Sequence, residues 1–303
     1  MGHHHHHKED VSLKRLIIII SLNLAITAAE LLGGLISGSL ALLSDALHNF
    51  SDAIAIIISY IALKLGKKPN TLKNTFGFKR AEIIAAFFNT AFLVIIVLFL
   101  IKEAVERLFS PSAIDAELMI AVSLIGFTAN ILSVLLLKRH SGDNINLRSA
   151  YLHLVADALS SAAVISGGIF IYFFRIYWLD PAITIFICLY IVKEGYQILK
   201  KALMILMHTT PEGMDINLIK KTLEEIDGVE NVHHVHAWEL SEQNIFLECH
   251  VDLDRDYLIS QTDKIRQNIT KKLRDRLNIN HVTLQLEYKT CSDRHLVNNG
   301  NCS

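Results

Sequence analysis

Cysteine is scarce in this chain and poorly spaced for pairing. Cys188, Cys249, Cys291 and Cys302 form no Cys-x-x-Cys pair, so no disulfide framework is expected. Nucleotide and hydrolase signatures are missing too. There is no Gly-x-x-x-x-Gly-Lys-Ser/Thr loop, no Gly-x-Ser-x-Gly elbow and no His-Glu-x-x-His, which excludes work driven by nucleotide hydrolysis within this chain. A charge excess is also lacking: the formal net charge is -1, and nothing argues for nucleic acid as a partner.

Charge is nearly absent from long stretches of the first two thirds, while the last third is dense in it. With 51% hydrophobic residues over 303 positions, that split implies a membrane domain followed by a soluble one. Six spanning segments are expected near Leu13–Ser37, Leu40–Leu65, Ala81–Ile101, Ile114–Leu137, Leu147–Phe174 and Leu179–Leu199. Ahead of them, His3 to His7 read as a purification tag or a metal-gathering tract, disordered in either case. No cleavable signal peptide is expected, because Lys14-Arg15 leads into an apolar stretch of spanning length. The connection between spans two and three holds Lys64, Lys67, Lys68, Lys73, Lys79 and Arg80, and that between four and five holds Lys138, Arg139 and Arg148. The first-to-second turn has no charge, the fifth-to-sixth only Arg175, and the third-to-fourth is mixed with Lys102, Glu103, Glu106, Arg107, Asp115 and Glu117, which places both termini in the cytoplasm.

Beyond Pro211 the periodicity changes. Met214–Ile226 reads as an amphipathic helix stopped at Asp227-Gly228, and Val232–Leu240 and Ile245–Leu253 as a hairpin. Leu258–Leu277 follows as a charged helix and His281–Glu287 as a last strand. The expected fold is therefore an all-α six-helix transmembrane domain followed by a small cytoplasmic α+β domain, αββαβ, with helices on one face of the sheet. The domains divide at 1–12, 13–208, 209–288 and 289–303, the last a mobile polar tail.

The stretch Ser44-Asp45-Ala46-Leu47-His48-Asn49-Phe50-Ser51-Asp52-Ala53 stands inside the second apolar segment. A helix puts Asp45, His48 and Asp52 on one face. Ionisable groups in a membrane-length helix are costly to bury and are functional by default. The spacing recurs in the fifth segment as His153-Leu-Val-Ala-Asp157. Two imidazoles and two carboxylates suffice for a closed tetrahedral site for a borderline metal such as zinc, and their charges neutralise a divalent ion. Asp45, a turn before His48, is a candidate carboxylate for orienting that ring; a solvated carboxylate at a helix end is the alternative. In the first segment Asn23, Thr27 and Glu30 form a polar stripe that should face other helices, and Gly33-Gly34 allows a neighbour to approach closely. Glu30 reads as a structural hydrogen-bond partner, with a proton relay as the alternative. In the soluble part His234, His236, His250, His281 and Glu287 are candidate ligands of a second, regulatory metal site; alternation puts His234, His236 and Trp238 on one face. Cys291, His295 and Cys302 are weaker candidates on spacing alone.

These features resemble the zinc-transporting branch of the cation diffusion facilitators. Gly34–His48, Phe76-Gly-Phe-Lys-Arg-Ala-Glu82, Asn146–His153 and Val235-His236-Ala-Trp238 carry the likeness together with the paired His-x-x-x-Asp motifs. It spans the chain from about Leu13 to Glu287. The resemblance implies a ferredoxin- or metallochaperone-like soluble domain, a homodimer embedded in membrane lipid, one transport site per protomer, and exchange of cytoplasmic zinc for protons by alternating access. Cadmium, cobalt and nickel are further candidate ions, and His48, where broader-range relatives carry Asp, points to zinc. Gly66–Lys79 has no His or Asp, so the loop metal site of some relatives is not expected here. A fourth-to-fifth connection as short as Lys138–Leu147 fits a bacterial protein of the inner membrane. Two rival classes use the same four residues, a membrane metalloenzyme and a metal-sensing receptor. An enzyme would need an open metal position and a base.

Overall fold

The computed structural model describes residues 13–138, 145–241, 244–290 and 295–297, and side chains within these except 13–23, Leu63 and 136–150. His3 to His7, Cys291 and Cys302 lie outside the described residues, and Asn23 outside the described side chains. Six long helices come first: α1 (Leu13–Ser37), α2 (Leu40–Gly66), α3 (Ala81–Phe109), α4 (Ala116–Lys138), α5 (Ile145–Phe174) and α6 (Leu179–Leu206). Among the described residues, α2 to α6 each contain a stretch long and apolar enough to cross a membrane, and Leu24–Ser37 of α1 is a shorter apolar helix. This is a multi-pass membrane protein. Then follow α7 (Ile216–Glu224), β1 (Val229–Ser241), β2 (Asn244–Leu253), α8 (Ile259–Leu277) and β3 (His281–Glu287), in the expected αββαβ order.

The chain forms two compact units, one of the described residues up to Tyr60 with Phe88–Leu199, the other of Ile61–Phe87 with Lys200 onward. In the first unit the apolar centre is built by Leu42, Val97, Met119, Ile171 and Ile191, all closed off from solvent. Close helix approach depends on small residues. A Cβ on Gly33 would run into Val122 of α4, and one on Gly34 would sit 3.0 Å from the backbone nitrogen of Leu43 in α2.

In the second unit β1 pairs antiparallel with β2, and β2 parallel with β3. Ile219 and Leu223 of α7 and Ile265, Ile269 and Leu273 of α8 cover one face of this sheet, against Val232, Leu247 and Val251. The Asp215 side chain caps α7 by accepting from the backbone of Asn217 at 2.8 Å, an N-cap bond that satisfies a donor the helix leaves open. The region read as a free tail does not stand away from the domain at 295–297. The Val235 amide donates to the Leu296 carbonyl at 2.9 Å and that of His234 to His295 at 3.3 Å, which occupies the open edge of β1.

Candidate metal centre

The α2 segment carries its polar residues at i, i+3 and i+7 among apolar ones, so winding it into a helix gathers Asp45, His48 and Asp52 into one stripe. The His153–Asp157 pair does the same on α5. The structure brings all four predicted residues together: their ligating atoms lie within 4.8 Å of one another. His48 Nε2 is 3.7 Å from Asp52 Oδ2 and 3.6 Å from Asp157 Oδ1. His153 Nε2 is 3.0 Å from Asp52 Oδ2 and 3.7 Å from Asp157 Oδ2. A zinc ion held by four nitrogens and oxygens at about 2.0–2.1 Å would set those atoms roughly 3.3 Å apart at the corners of a tetrahedron. Asp52 Oδ2 therefore already stands within about 0.4 Å of that spacing from both imidazoles, while Asp157 meets the two rings through different oxygens and would offer the metal one of them. Both ring nitrogens of His48 are buried without a hydrogen-bond partner, an arrangement that costs free energy unless something else satisfies them. Exposure is uneven. His48 and Asp157 are buried, whereas the side chains of Asp52 and His153 are 35% and 46% exposed, so the cluster opens on the His153 side.

Asp45 does not hydrogen-bond His48. It is buried, and its two oxygens accept from Ser160 Oγ at 2.7 Å and Ser161 Oγ at 2.9 Å. Its effect on the cluster is thus to tie α2 to α5 one turn from the ligating atoms. Thr27 and Glu30 are buried as their stripe predicts. Asn49 donates to Glu30 Oε2 at 3.3 Å, and a Cβ on Gly126 would collide with the Glu30 carboxylate, so that glycine makes the room Glu30 occupies. Asp180 escaped the sequence reading. At the start of α6, it accepts from Ser39 Oγ at 2.5 Å and from the amides of Leu40 at 2.9 Å and Ala41 at 3.3 Å. It therefore caps α2 from another helix, satisfying N–H groups that a helix start leaves open. The only hint in the sequence is a lone acidic residue, followed by Pro181, opening an apolar segment.

A second cluster lies in the αββαβ domain: His233, His250 and Glu287. Glu287 Oε1 is 2.6 Å from His250 Nδ1, and Glu287 Oε2 is 3.9 Å from His233 Nε2. The sequence predicts His250 and Glu287 here but not His233. The cause is a bulge. The β1–β2 register shifts between His233 and His236, and His234 has φ +48, which breaks strict alternation and re-aims side chains. His234 keeps ring contacts with His233 and His250, at centroid distances of 5.4 and 4.9 Å. His236 is exposed opposite Glu248, and His281 packs on Phe246 with ring centroids 4.4 Å apart; neither joins the cluster. Burial holds the His233 ring below the usual imidazole range, and burial pushes the Cys249 thiol up to about 12, so Cys249 is an inert core residue rather than a ligand.

Comparison with known proteins matches both domains. The cation efflux transmembrane domain matches residues 16–207, and the cation efflux protein cytoplasmic domain matches residues 211–289. A cadmium, cobalt and zinc/H(+)-K(+) antiporter of Bacillus subtilis (strain 168) is 37% identical over 290 residues, 95% of this chain and 92% of its own length. The zinc transporter ZitB of Escherichia coli (strain K12) is 34% identical over 296 residues, 95% of this chain and 92% of its own. The metal cation efflux system protein CzcD of Cupriavidus metallidurans is 33% identical over 302 residues, 100% of this chain and 94% of its own. With a transmembrane and a soluble domain that both match, and relatives similar along nearly its whole length, the chain belongs to the cation efflux, or cation diffusion facilitator, family.

Proposed function

We propose that this chain exports zinc from the cytoplasm in exchange for protons, with His48, Asp52, His153 and Asp157 holding the ion during alternating access. The observation that carries the reading is the set of imidazole–carboxylate edges of 3.0–3.7 Å, close to the edge of a zinc tetrahedron. Membership of a transporter family sets aside the metalloenzyme, and the names of the relatives support zinc with cadmium and cobalt as further ions. Two imidazoles favour such borderline metals over manganese or magnesium.

Protons fit as the counter-substrate. Zinc requires neutral imidazole and ionised carboxylate, so its binding must release protons. On the acidic side, protonating the two histidines removes two ligands and adds positive charge, which expels the ion. Carried inward, the same protons reset the site. The basic connections favour cytoplasmic termini, and the bacterial relatives favour the inner membrane. The protein acts as a homodimer through its soluble domain, where His233, His250 and Glu287 take a regulatory zinc ion.

Zinc flux into proteoliposomes under an imposed pH gradient tests the transport reading. Uptake should follow the gradient and vanish in Asp157→Ala. Flux at the wild-type rate in that variant would assign the ion to other residues, and no flux in the wild type would leave the sensor reading standing.

A further inference from the structure

A cavity of about 420 Å³ in the second unit brings together Phe76, Phe78, Lys79, Arg80, His208 and Trp238. None of the family's chemistry described above uses it. Its cations are poorly satisfied. Arg80 Nη2 touches His208 Nε2, a neutral partner when it accepts, and Arg80 Nε is buried with no hydrogen-bond partner. Lys79 Nζ reaches only Asn244 Oδ1, at 3.4 Å. Neither residue forms an ion pair among the described residues, and no carboxylate lines the cavity. Two adjacent like charges without a counter-charge repel, and a guanidinium fork left largely unengaged is suited to a planar or tetrahedral oxyanion.

The aromatic side of the cavity is a set of ring contacts. His208 stacks on Trp238 with ring centroids 5.8 Å apart and planes within 6°, and Trp238 stacks on Phe246 at 5.6 Å. Phe76 meets Phe246 edge-on at 5.5 Å. Cations on one side and half-exposed aromatic faces on the other suit an anion that carries apolar substituents. The position agrees. Arg80 immediately precedes α3, His208 lies two residues past the end of α6, and Ile83 of α3 packs on Ala202 and Ile205 of α6. Both helices are long and apolar enough to cross a membrane, so a cavity built at their ends suits a ligand met at the depth of lipid phosphates.

We infer that Lys79, Arg80 and the His208–Trp238 stack form a binding site for a phosphate-bearing anion. The shared chemistry is the phosphate group; a phospholipid headgroup and free inorganic phosphate are its two sources. The site is independent of the metal centre, since none of its residues ligates there.

The experiment uses the full chain in a neutral detergent with metal removed. Thermal unfolding is followed while phosphatidylglycerol, phosphatidylcholine or inorganic phosphate is titrated. A saturable rise in Tm with phosphatidylglycerol but not phosphatidylcholine is expected, and Lys79→Gln with Arg80→Gln should weaken it about tenfold or more, since charge-assisted bonds to the anion are lost. Arg80→Lys should retain part of it. A rise with inorganic phosphate of the same size would uphold the site and assign free phosphate as its ligand. The control is Lys67→Gln with Lys68→Gln, exposed residues of the same connection that remove the same charge. An equal loss in that control would show diffuse electrostatics and overturn the proposal, as would a wild type that responds to no anion. Should the double variant fail to fold, native mass spectrometry of Lys79→Gln settles the matter by the number of phosphatidylglycerol molecules retained per chain; a number equal to wild type refutes the site.

Discussion

Replacing Asp157 by Asn keeps the volume of the side chain and removes one negative charge from the metal cluster. Zinc sites with four protein ligands bind with about 10–16 kcal/mol, so one ligand accounts for roughly a quarter, about 3 kcal/mol, or more than a hundredfold in affinity. Burial decides how much of that is felt. The Asp157 side chain is 8% exposed, and water has little room to replace it, whereas Asp52 is 35% exposed. At Asp52 a water molecule enters as a substitute ligand and recovers much of the loss. Asp157→Asn should therefore weaken zinc binding a hundredfold or more and Asp52→Asn only about tenfold. Calorimetric titration of the purified protein measures both, with His233 and His250 replaced by Ala so that the soluble-domain cluster does not contribute. Affinity for Asp157→Asn within about threefold of the parent, or a larger loss at Asp52 than at Asp157, would refute the reasoning.

Three further outcomes follow from the same geometry. His48→Asp trades a borderline-soft nitrogen for a hard oxygen, so manganese should begin to compete with zinc in flux assays; an unchanged competition profile counts against the ligand assignment. Zinc binding measured in buffers of different ionisation enthalpy should release protons at neutral pH, with affinity falling from about pH 8 to 6 as imidazole titrates; a flat profile rules out competition between proton and metal. Burial lowers the His233 pKa in the fold, so below the ordinary imidazole value near ~6.5 the unfolded chain binds a proton that the fold does not. The metal-free soluble part should lose stability as pH falls from about 7 to 5.5, and His233→Asn should flatten that slope in thermal scans; an unaltered slope would assign it elsewhere.

The metal cluster was legible in the sequence because its two halves are local. His48 with Asp52 and His153 with Asp157 each sit one helical turn apart, and the cost of burying such groups in apolar helices points to their meeting. The αββαβ order was legible because period-two and period-3.6 patterns alternate cleanly after Pro211. Three things were not. Strand alternation predicts His236 beside His234, but the bulge at His234 rotates His233 into the cluster, and a bulge leaves no sharp mark on composition. Asp180 was invisible because its partners lie 140 residues away, across a contact that only the packed helices create. The backbone contacts at His295 and Leu296 were the third, because polarity reports solvent exposure, not the backbone edge that a strand leaves open.

Asp180 also bears on how α2 can move. Its carboxylate grips Ser39, Leu40 and Ala41 together, so sliding α2 along its axis would strip the helix start of its partner, whereas tilting it against α5 keeps this grip and gives up only the Asp45 bonds to Ser160 and Ser161. That end of the helix is a fulcrum. His48 and Asp52 lie 8 and 12 residues beyond Leu40, about 12 and 18 Å at 1.5 Å per residue. A swing of about 10° about Leu40 would carry them by roughly 2 and 3 Å over those lengths, ten times the slack of about 0.2 Å that a metal–ligand bond tolerates. The metal would register the angle of one helix as a change in how many ligands it holds.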